Sequence, residues 1–402
     1  MDKALEGIRV ADFSIAWAGP HATELLAFLG AEVIKIESRM RVDHSRTTSI
    51  TTSQVFREMD VAPTFSDINL GKLSVRLNLK KREGVELAKE IVRISDIAIQ
   101  NLRPGVLDRL GLGYEALKEV NPDIIYLSSS ALGATGPESR YIGYAPSFAA
   151  VSGLSWVTGY PDCPPVQLFG EIDFISATTS AFVTLAALHF RERTGQGQHI
   201  DLSSAESISC LIGEMLIDYT MNDRNRACSG NRDEMMAPHG CYRCKGEDKW
   251  VSIAAANDEE WKAFCRAVGD PEWTRDERFS DQNRRRENQD ELDRLIGEWT
   301  AKHTDYEVMH ILQKAGVAAV PSFSNEELFN DEHLKERGLF TEIDHPKIGK
   351  RTVVGAPWKL KATPPQVRRD PLFGEHNDYV FGELLGLPAE RIRKLMDEEV
   401  IY

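Results

Sequence analysis

The stretch that decides the fold covers residues 164–203 and reads PPVQLFGEIDFISATTSAFVTLAALHFRERTGQGQHIDLS. It predicts a loop, a long helix, a glycine turn and a strand at residues 199–202. Arg191 and Arg193 near the helix end, followed by Gly195, are typical signals of a C-terminus. Apolar or small residues recur at helical spacing, which predicts a buried face. These residues are Phe174, Ala177, Thr178, Ala181, Phe182, Leu185 and Leu188.

Asp173 lies where the N-cap of this helix is expected, with Gly170 and Glu171 just before it in the loop. A carboxylate at this position accepts backbone N–H bonds and is favoured by the positive end of the helix. The position by itself predicts only a capping residue. A chemical role for Asp173 needs support from the rest of the sequence.

Length and composition indicate a globular protein with two or three domain-sized units, because the 402 residues are 42% hydrophobic and 27% charged. The N-terminus lacks a basic segment followed by an apolar core, and Ser, Thr or Gly interrupts each apolar run. We therefore expect a cytoplasmic protein without a membrane partner. The net charge of −14 argues against nucleic-acid binding, which depends on Lys and Arg neutralising phosphates.

The cysteines are scattered along the chain, which favours reduced thiols over a disulfide framework. They are Cys163, Cys210, Cys228, Cys241, Cys244 and Cys265. Cys241 and Cys244 have the spacing of half a zinc site, but the sequence offers no second pair of this kind. We predict no metal site and no tightly bound cofactor.

Strands and helices alternate through the N-terminal half. Strands are predicted at residues 8–13, 33–37, 73–79, 97–100 and 124–128, with helices between them. This alternation predicts a Rossmann-like α/β domain whose mostly parallel sheet carries helices on both faces. Ligands of such sheets bind beyond the carboxyl ends of the strands. The first βαβ unit lacks the G-x-G-x-x-G fingerprint, so a dinucleotide site is not favoured.

The composition shifts after residue 224. A hairpin is predicted at residues 241–245 and 250–254, with helices near 259–268, 290–300 and 306–314. We predict that residues 1–224 form the N-terminal part of a large α/β domain and residues 225–325 a smaller α+β domain. Residues 326–402 are too short for a domain and form a C-terminal tail.

Several motifs together resemble those of a known family. The chain opens with L-x-G-I-x-V-x-D-F-S, A-G-P and L-G-A-E-V-I-K-I-E, continues with N-x-R-P-G-x-x-x-R-L-G and P-x-x-I-Y-x-S, and closes with G-E-H-N. Its centre has G-x-x-D, A-A-L-x-x-R-x-x-T-G-x-G-Q and I-D-L-S. This set resembles the class III CoA-transferases, the superfamily of formyl-CoA and carnitine CoA-transferases.

The resemblance implies a CoA-transferase with coenzyme A as substrate and product. It also implies an interlocked dimer, in which two ring-like subunits are threaded through each other and the tail completes the large CoA-binding domain. The partner would be a second copy or a homologous subunit. In that family the acid matching Asp173 is the nucleophile.

Matching by motif assigns further site residues. The thioester end of CoA would be lined by Ala16, Trp17 and Ala18. The pantetheine or the nucleotide would be held by Asn101, Leu102, Arg109 and Leu110. Four more cations are candidate partners of CoA, on grounds of charge or of motif position: Arg39, Lys72, Arg103 and Arg140.

Three departures from the family pattern bear on the substrate. Some members carry an arginine directly after the acid matching Glu37, but here Ser38 precedes Arg39. The glycine run that covers the active site of formyl-CoA transferase is absent around residues 230–240, and Arg140 and Tyr141 stand where that enzyme has Lys and Glu. These departures argue against formate and oxalate as substrates.

A lone carboxylate is sufficient for CoA transfer. Asp173 would attack the thioester carbonyl to form a mixed anhydride, and the CoA thiolate would then convert the anhydride to an aspartyl-CoA thioester. The carboxylate must be ionised at neutral pH, a form that a helix N-terminus favours. Neither a metal nor ATP is needed.

Aromatic residues that would face the acyl group indicate a bulky acceptor acid, aromatic or a substituted succinate. They are Trp17, Phe148, Trp156 and Phe169. The run G-Y-A-P at residues 143–146, with T-G-Y-P at 158–161, is similar to transferases that act on succinyl-CoA and benzylsuccinate.

Two alternatives stay open. A racemase or isomerase of the same superfamily moves a proton at the α-carbon of an acyl-CoA and needs paired bases, whereas no histidine lies between His44 and His189. A non-catalytic subunit of a heteromeric transferase would not need Asp173.

Overall fold

The computed structural model describes residues 3–49, 54–55, 58–168 and 170–402. The chain divides into two compact units: unit 1 contains Met1–Ser155, Gln167–Arg224 and Glu336–Tyr402, and unit 2 contains Trp156–Val166 and Asn225–Lys335. These boundaries differ from the predicted ones in two places. Residues 156–166 and 326–335 belong to unit 2, where the sequence placed them in the large domain and in the tail.

The strands of the described residues are, in chain order, β1 (Arg9–Asp12), β2 (Glu32–Glu37), β3 (Thr48–Ser49), β4 (Gln54–Val55), β5 (Leu73–Arg76), β6 (Ile97–Gln100), β7 (Ile125–Ser130), β8 (His199–Ser203), β9 (His239–Arg243), β10 (Trp250–Ala254), β11 (Ala318–Pro321), β12 (Phe340–His345) and β13 (Gly349–Val354).

The α-helices are α1 (Ala18–Phe28), α2 (Pro63–Asp67), α3 (Arg82–Arg93), α4 (Val106–Arg109), α5 (Tyr114–Val120), α6 (Ala145–Val151), α7 (Leu154–Val157), α8 (Gly170–Thr194), α9 (Ser204–Ser209), α10 (Gly213–Asn222), α11 (Asp258–Ala267), α12 (Gln282–Glu287), α13 (Gln289–Thr300), α14 (Asp305–Lys314), α15 (Asn325–Asn330), α16 (Glu332–Glu336) and α17 (Ala389–Asp397). Short 3₁₀ segments occur at His44–Arg46, Cys210–Ile212, Glu272–Arg275 and Glu277–Phe279, and a π-helical segment at Asp378–Leu384.

The large sheet of unit 1 has the strand order β5-β2-β1-β6-β7-β8, and every neighbouring pair is parallel. This confirms the predicted α/β class with a parallel sheet. Asp12 at the end of β1 is in register with Lys35 and Ile99, so the carboxyl ends of the central strands meet at one edge. That edge is where parallel sheets bind ligands.

The sheet is covered on both faces, as expected for parallel strands. One apolar cluster joins the strands to α3 and to the C-terminal segment, through residues such as Ile91, Phe381 and Leu395. The other joins them to α1 and α8, through residues such as Leu26 and Leu188. Both clusters lie within unit 1, and the site described below rests on the second.

Helix α8 packs against α1 with a face that matches the predicted one only in part, since Ala177, Ala181 and Leu188 are buried as predicted. Thr178 is exposed and the Phe182 side chain is 70% exposed. The buried positions of α8 are mostly small: Ile172, Ser176, Ala177, Ser180, Ala181, Thr184, Ala187 and Leu188. Small side chains allow the axes of two helices to approach closely. The face of α8 with small residues therefore packs against α1, and the side that carries Phe182 is left exposed.

Among the described residues, α8 is the one helix that is long and apolar enough to cross a membrane, whereas the sequence predicted no such run. Within its most apolar window, 44% is buried inside the protein. Core helices of globular proteins satisfy the same criterion of length and composition.

Unit 2 contains a three-stranded sheet in the order β11-β10-β9, with both pairs antiparallel. The predicted hairpin corresponds to β9 and β10, and the sequence missed β11. Helices α11, α13 and α14 supply an apolar cluster that includes Trp261, Phe264, Leu292 and Leu312. All six cysteines of the chain are free thiols.

Candidate functional site

Three adjoining clefts open at the carboxyl edge of the large sheet, all in unit 1. The central cleft encloses about 610 Å³ and is lined by Trp17 and Asp173, among others. The apolar cleft, of about 380 Å³, shares Ile15 and Leu102 with it. The arginine cleft, of about 500 Å³, shares Leu102 and Arg103 with the central cleft.

The loop after β1 forms one wall of the central cleft and is fixed by side chains from other strand ends. Asn101 accepts a hydrogen bond from the Ile15 N–H at 2.9 Å and donates one to the Ile15 carbonyl at 2.7 Å. Asp43 accepts from the Ala16 N–H at 3.1 Å. Ala16 has φ +68°, a left-handed conformation that a non-glycine residue keeps only when its surroundings impose it. The loop is therefore pre-organised.

A buried polar network lies beneath this loop. Lys72 is 3% exposed and donates to the Asp12 carboxylate at 3.2 Å, to the Pro20 carbonyl at 2.7 Å and to the Asn69 side chain at 2.8 Å. Burial lowers the pKa of Lys72 to about 8, against the opposing effect of Asp12. All three protons of the ammonium group have partners, so Lys72 supports the end of β1 and is not free to bind a phosphate.

The start of α8 meets the start of α1 through aromatic contacts. The Trp17 and Phe174 rings are 5.7 Å apart, and His21 contacts Phe174 edge-on at 4.4 Å. A Cβ atom on Gly170 would overlap the Trp17 indole, so this position requires glycine. Burial lowers the pKa of His21 to about 4, which leaves the imidazole neutral at physiological pH. These contacts fix where Asp173 enters the cleft.

Asp173 lies inside the first turn of α8, which has begun by Gly170, and is therefore not the N-cap predicted from sequence. Burial raises the pKa of Asp173 to about 7. No cation or hydrogen-bond donor of the described residues offsets this effect. The helix N-terminus was expected to favour the ionised form of Asp173, but burial acts in the opposite direction and dominates, so the pKa is raised.

Comparison with known protein families matches residues 5–377 to CoA-transferase family III. The chain belongs to this family. Succinyl-CoA–D-citramalate CoA-transferase of Chloroflexus aurantiacus is 32% identical, over 99% of this chain and 98% of the relative. The succinyl-CoA–L-malate CoA-transferase alpha subunit of the same organism is 34% identical, over 99% and 92%. Formyl-CoA:oxalate CoA-transferase of Streptomyces coelicolor is 32% identical, over 99% of both chains.

Solved structures agree with these sequence relationships. A CAIB/BAIF family protein from Brucella suis superimposes with a TM-score of 0.86 at 29% identity, covering 96% of this chain and all of that one. Rv3272 from M. tuberculosis gives a TM-score of 0.79 at 26% identity, covering 94% and 99%. The predicted family and enzyme class are confirmed: this family III CoA-transferase moves CoA between acyl-CoA thioesters and carboxylic acids.

The structure brings most of the sequence-predicted site residues of the transferase together. The central cleft is lined by Ala16, Trp17, Ala18, Asn101, Leu102, Arg103 and Asp173. The apolar cleft includes Leu110, and the arginine cleft includes Arg109 and Arg140. Arg39 is exposed beside the apolar cleft and lines none of the three. Lys72 is the one predicted CoA-binding residue that is too deeply buried to contact CoA.

The predicted aromatic lining of the transferase is partly wrong. Phe148 lines the central cleft, as Trp17 does. Trp156 belongs to unit 2, where its indole N–H donates to the Arg226 carbonyl at 3.0 Å. Phe169 lies outside the described residues. Two aromatic residues that the sequence did not assign to this lining, Tyr141 and Tyr144, also line the cleft.

Sequence reasoning also missed two residues that shape the site. Lys35 donates to the Ser14 carbonyl at 2.9 Å and lies 3.2 Å from Asp43, which holds the Ala16 N–H. Lys35 belongs to the motif L-G-A-E-V-I-K-I-E. A lysine within an apolar strand is rarely buried without a partner, so its place in this motif could have indicated a buried ion pair.

Proposed function

We propose that the enzyme transfers CoA from succinyl-CoA to a bulky carboxylic acid through covalent intermediates on Asp173. The observation that carries this proposal is the isolation of Asp173: among the described residues that line the central cleft, it is the only carboxylic acid. A transferase of this kind needs one carboxylate nucleophile within reach of the thioester and no second base.

The proposed reaction has four displacements. The Asp173 carboxylate attacks the thioester carbon, the C–S bond breaks, and CoA thiolate leaves from a mixed anhydride. The thiolate attacks the aspartyl carbonyl carbon and releases the donor acid as its carboxylate. The acceptor carboxylate then attacks the aspartyl-CoA thioester to give a second anhydride and thiolate. Attack of the thiolate on the acceptor's acyl carbon yields the new acyl-CoA and restores Asp173.

The raised pKa of Asp173 supports this role. A carboxylate with a pKa of about 7 is more basic, and so more nucleophilic, than an ordinary aspartate. It remains substantially ionised slightly above neutral pH. The physical cause is desolvation of the carboxyl group by its burial in the central cleft, which Trp17 also lines.

We propose a substituted succinate as the acceptor, with benzylsuccinate as the representative acid. The central cleft offers an aromatic wall from Trp17, Tyr141, Tyr144 and Phe148, which suits an apolar substituent. Arg103, at the border with the arginine cleft, offers a cation for a second carboxylate. Relatives are named for succinyl-CoA with D-citramalate, L-malate or mesaconate, which supports a diacid.

Trapping tests the covalent mechanism. Incubation with succinyl-CoA alone, followed by hydroxylamine, should modify the peptide that contains Asp173, and the Asp173→Asn variant should remain unlabelled. A label on another peptide would contradict the mechanism. An isomerase would give no adduct and would instead exchange deuterium at the α-carbon.

An acceptor panel tests the substrate class. With succinyl-CoA as donor, benzylsuccinate and mesaconate should be used faster than carnitine or oxalate, because the cleft wall is aromatic. Preference for oxalate would refute the acceptor proposal while leaving the trapping result intact.

We further propose that the enzyme works as an interlocked dimer, with itself or with a homologous subunit. Helix α10 has no buried residue, yet it and its approach expose large apolar side chains, which a partner would cover. They are Leu211, Leu216, Ile217, Tyr219 and Met221. A compact monomer in light scattering at micromolar concentration would refute the dimer. The six free thiols suit a reducing compartment, which supports a cytoplasmic location.

A further inference from the structure

A carboxyl group and an imidazole meet in the interior of unit 1, where α1 packs against the start of α8. Glu24 lies one turn after His21 in α1, and its Oε2 is 2.9 Å from His21 Nδ1. The other oxygen, Oε1, accepts a hydrogen bond from the Leu70 N–H at 2.8 Å. The Glu24 side chain is 1% exposed. Both of its oxygens therefore have partners inside the protein, and one hydrogen lies between Glu24 and His21.

No cation of the described residues is available to neutralise an ionised Glu24. Burial raises the pKa of Glu24 well above its usual range. The positive charge of Lys72 acts in the opposite direction, but all three protons of this ammonium group are donated to other acceptors, as described above. Asp67 and Asp370, the other charged groups that act on Glu24, are acids and disfavour a further negative charge. His21 supplies no charge either, because burial lowers its pKa to about 4.

The imidazole of this pair supports the residue next to Asp173. His21 contacts the Phe174 ring edge-on with ring centroids 4.4 Å apart, and Trp17 contacts the same ring at 5.7 Å. Phe174 directly follows Asp173 in the first turn of α8. Because successive side chains of a helix keep a fixed angle, a held Phe174 ring also fixes the direction in which Asp173 leaves the helix. His21 lines none of the three clefts, so it acts through Phe174 and not on a substrate.

We propose that Glu24 keeps its proton in the folded protein and donates it to His21 Nδ1, and that this neutral pair positions Asp173 for attack on the thioester. Glu24 is then a donor at Oε2 and an acceptor at Oε1, and His21 carries its hydrogen at Nε2. A buried carboxylate without an ion-pair partner would cost far more than a protonated carboxyl group. A charged imidazole at this place would lower the pKa of Asp173 and make the nucleophile less basic.

Infrared difference spectroscopy tests the protonation state independently of the proposed function. The Asp173→Asn variant is the starting protein, because it removes the carboxyl group whose pKa is raised to about 7. At about pH 8, where ordinary carboxyl groups are ionised, this variant should show the C=O band of a protonated carboxyl group. That band should disappear when Glu24→Gln is added. A spectrum in which Glu24→Gln removes no such band would overturn the proposal.

The positioning role rests on the proposed function, and steady-state kinetics tests it. Glu24→Leu keeps the approximate volume of the side chain and removes the donor to His21. It should lower kcat by about tenfold or more and leave KM for the acyl-CoA within about twofold, because the residues that line the clefts are unchanged. The amide of Glu24→Gln can donate to His21 Nδ1 and accept from the Leu70 N–H, so this variant should keep kcat within about twofold of the wild type.

Ser95→Ala is the control for lost stability, because it removes a buried hydrogen bond to the Ile91 carbonyl near the amino end of β6 and should leave kcat unchanged. His21→Ala guards against misfolding of Glu24→Leu, since the His21 side chain is partly exposed, and it should lower kcat in the same way. An unchanged kcat in Glu24→Leu or His21→Ala, or a loss in Glu24→Gln as large as in Glu24→Leu, would overturn the pair. Full activity of Asp173→Asn would instead contradict the proposed function itself.

Discussion

Replacing Asp173 by Asn should stabilise the ligand-free protein at about pH 8 and leave its stability nearly unchanged at about pH 4. The reason is the burial of the carboxyl group, which raises the pKa of Asp173 from 3.8 in the unfolded chain to about 7. Asn has nearly the same shape and cannot ionise. The variant therefore removes the cost of a buried charge without opening a cavity.

The sign follows from proton binding in the two states. Below the unfolded pKa of 3.8, both states carry the proton and the group contributes nothing. Between 3.8 and about 7, the unfolded chain releases the proton while the folded protein keeps it, so the free energy of unfolding falls as pH rises. Above about 7 the loss levels off at about 4 kcal/mol, from about three pKa units at 1.36 kcal/mol each.

Urea denaturation at a series of pH values measures this difference. Hydrogen exchange of α8 peptides assigns the transition to unit 1. The gap between variant and wild type should grow from about pH 4 to pH 7 and then stay constant. Glu171→Gln is the matched control, because Glu171 is an exposed acid in the same turn. A gap that stays constant from about pH 4 to pH 8 would refute the raised pKa.

The same titration predicts that kcat/KM of the wild type rises with pH through about 7, since the nucleophile must be ionised; the Asn variant should lose activity by about three orders of magnitude or more. Gly170→Ala should push the Trp17 ring away and lower kcat/KM by about tenfold or more, whereas Gly297→Ala in α13, where a Cβ meets open space, should be neutral in the same assay. Lys72→Met should remove the ion-pair partner of the buried Asp12 and lower the free energy of unfolding, measured by urea denaturation, by about 3–5 kcal/mol. A tenfold loss of CoA affinity at unchanged stability would show instead that Lys72 binds the ligand. Asn101→Ala removes both hydrogen bonds to Ile15, so it should raise KM for the acyl-CoA and destabilise the protein by about 1–3 kcal/mol. An unchanged KM would show that the loop after β1 keeps its conformation without these two hydrogen bonds.

The sequence by itself determined the parallel sheet and the place of Asp173 in the chain. Alternating apolar strands and helices are local patterns, and their order leaves few arrangements other than a parallel sheet covered on both faces. Gly195 marked the end of α8 because a left-handed residue there, at φ +73°, is a local requirement of the backbone. Asp173 was located by the family motif around it, because its position at a helix start predicted only a capping residue.

The tertiary structure alone decided the environment of each charge. Lys72 and Arg103 are both cations near strand or helix ends, yet one is buried among three oxygen acceptors and the other is exposed at a cleft. Asp173 is desolvated in a cleft that it shares with Trp17, a residue of the loop after β1 that is far away in sequence. Arg76 and Tyr402 meet through Asn377, about 300 residues after the first of them. Burial, pKa and partners depend on which strands lie side by side, and strand register is set by packing across the whole sheet, not by the residues next to each charge.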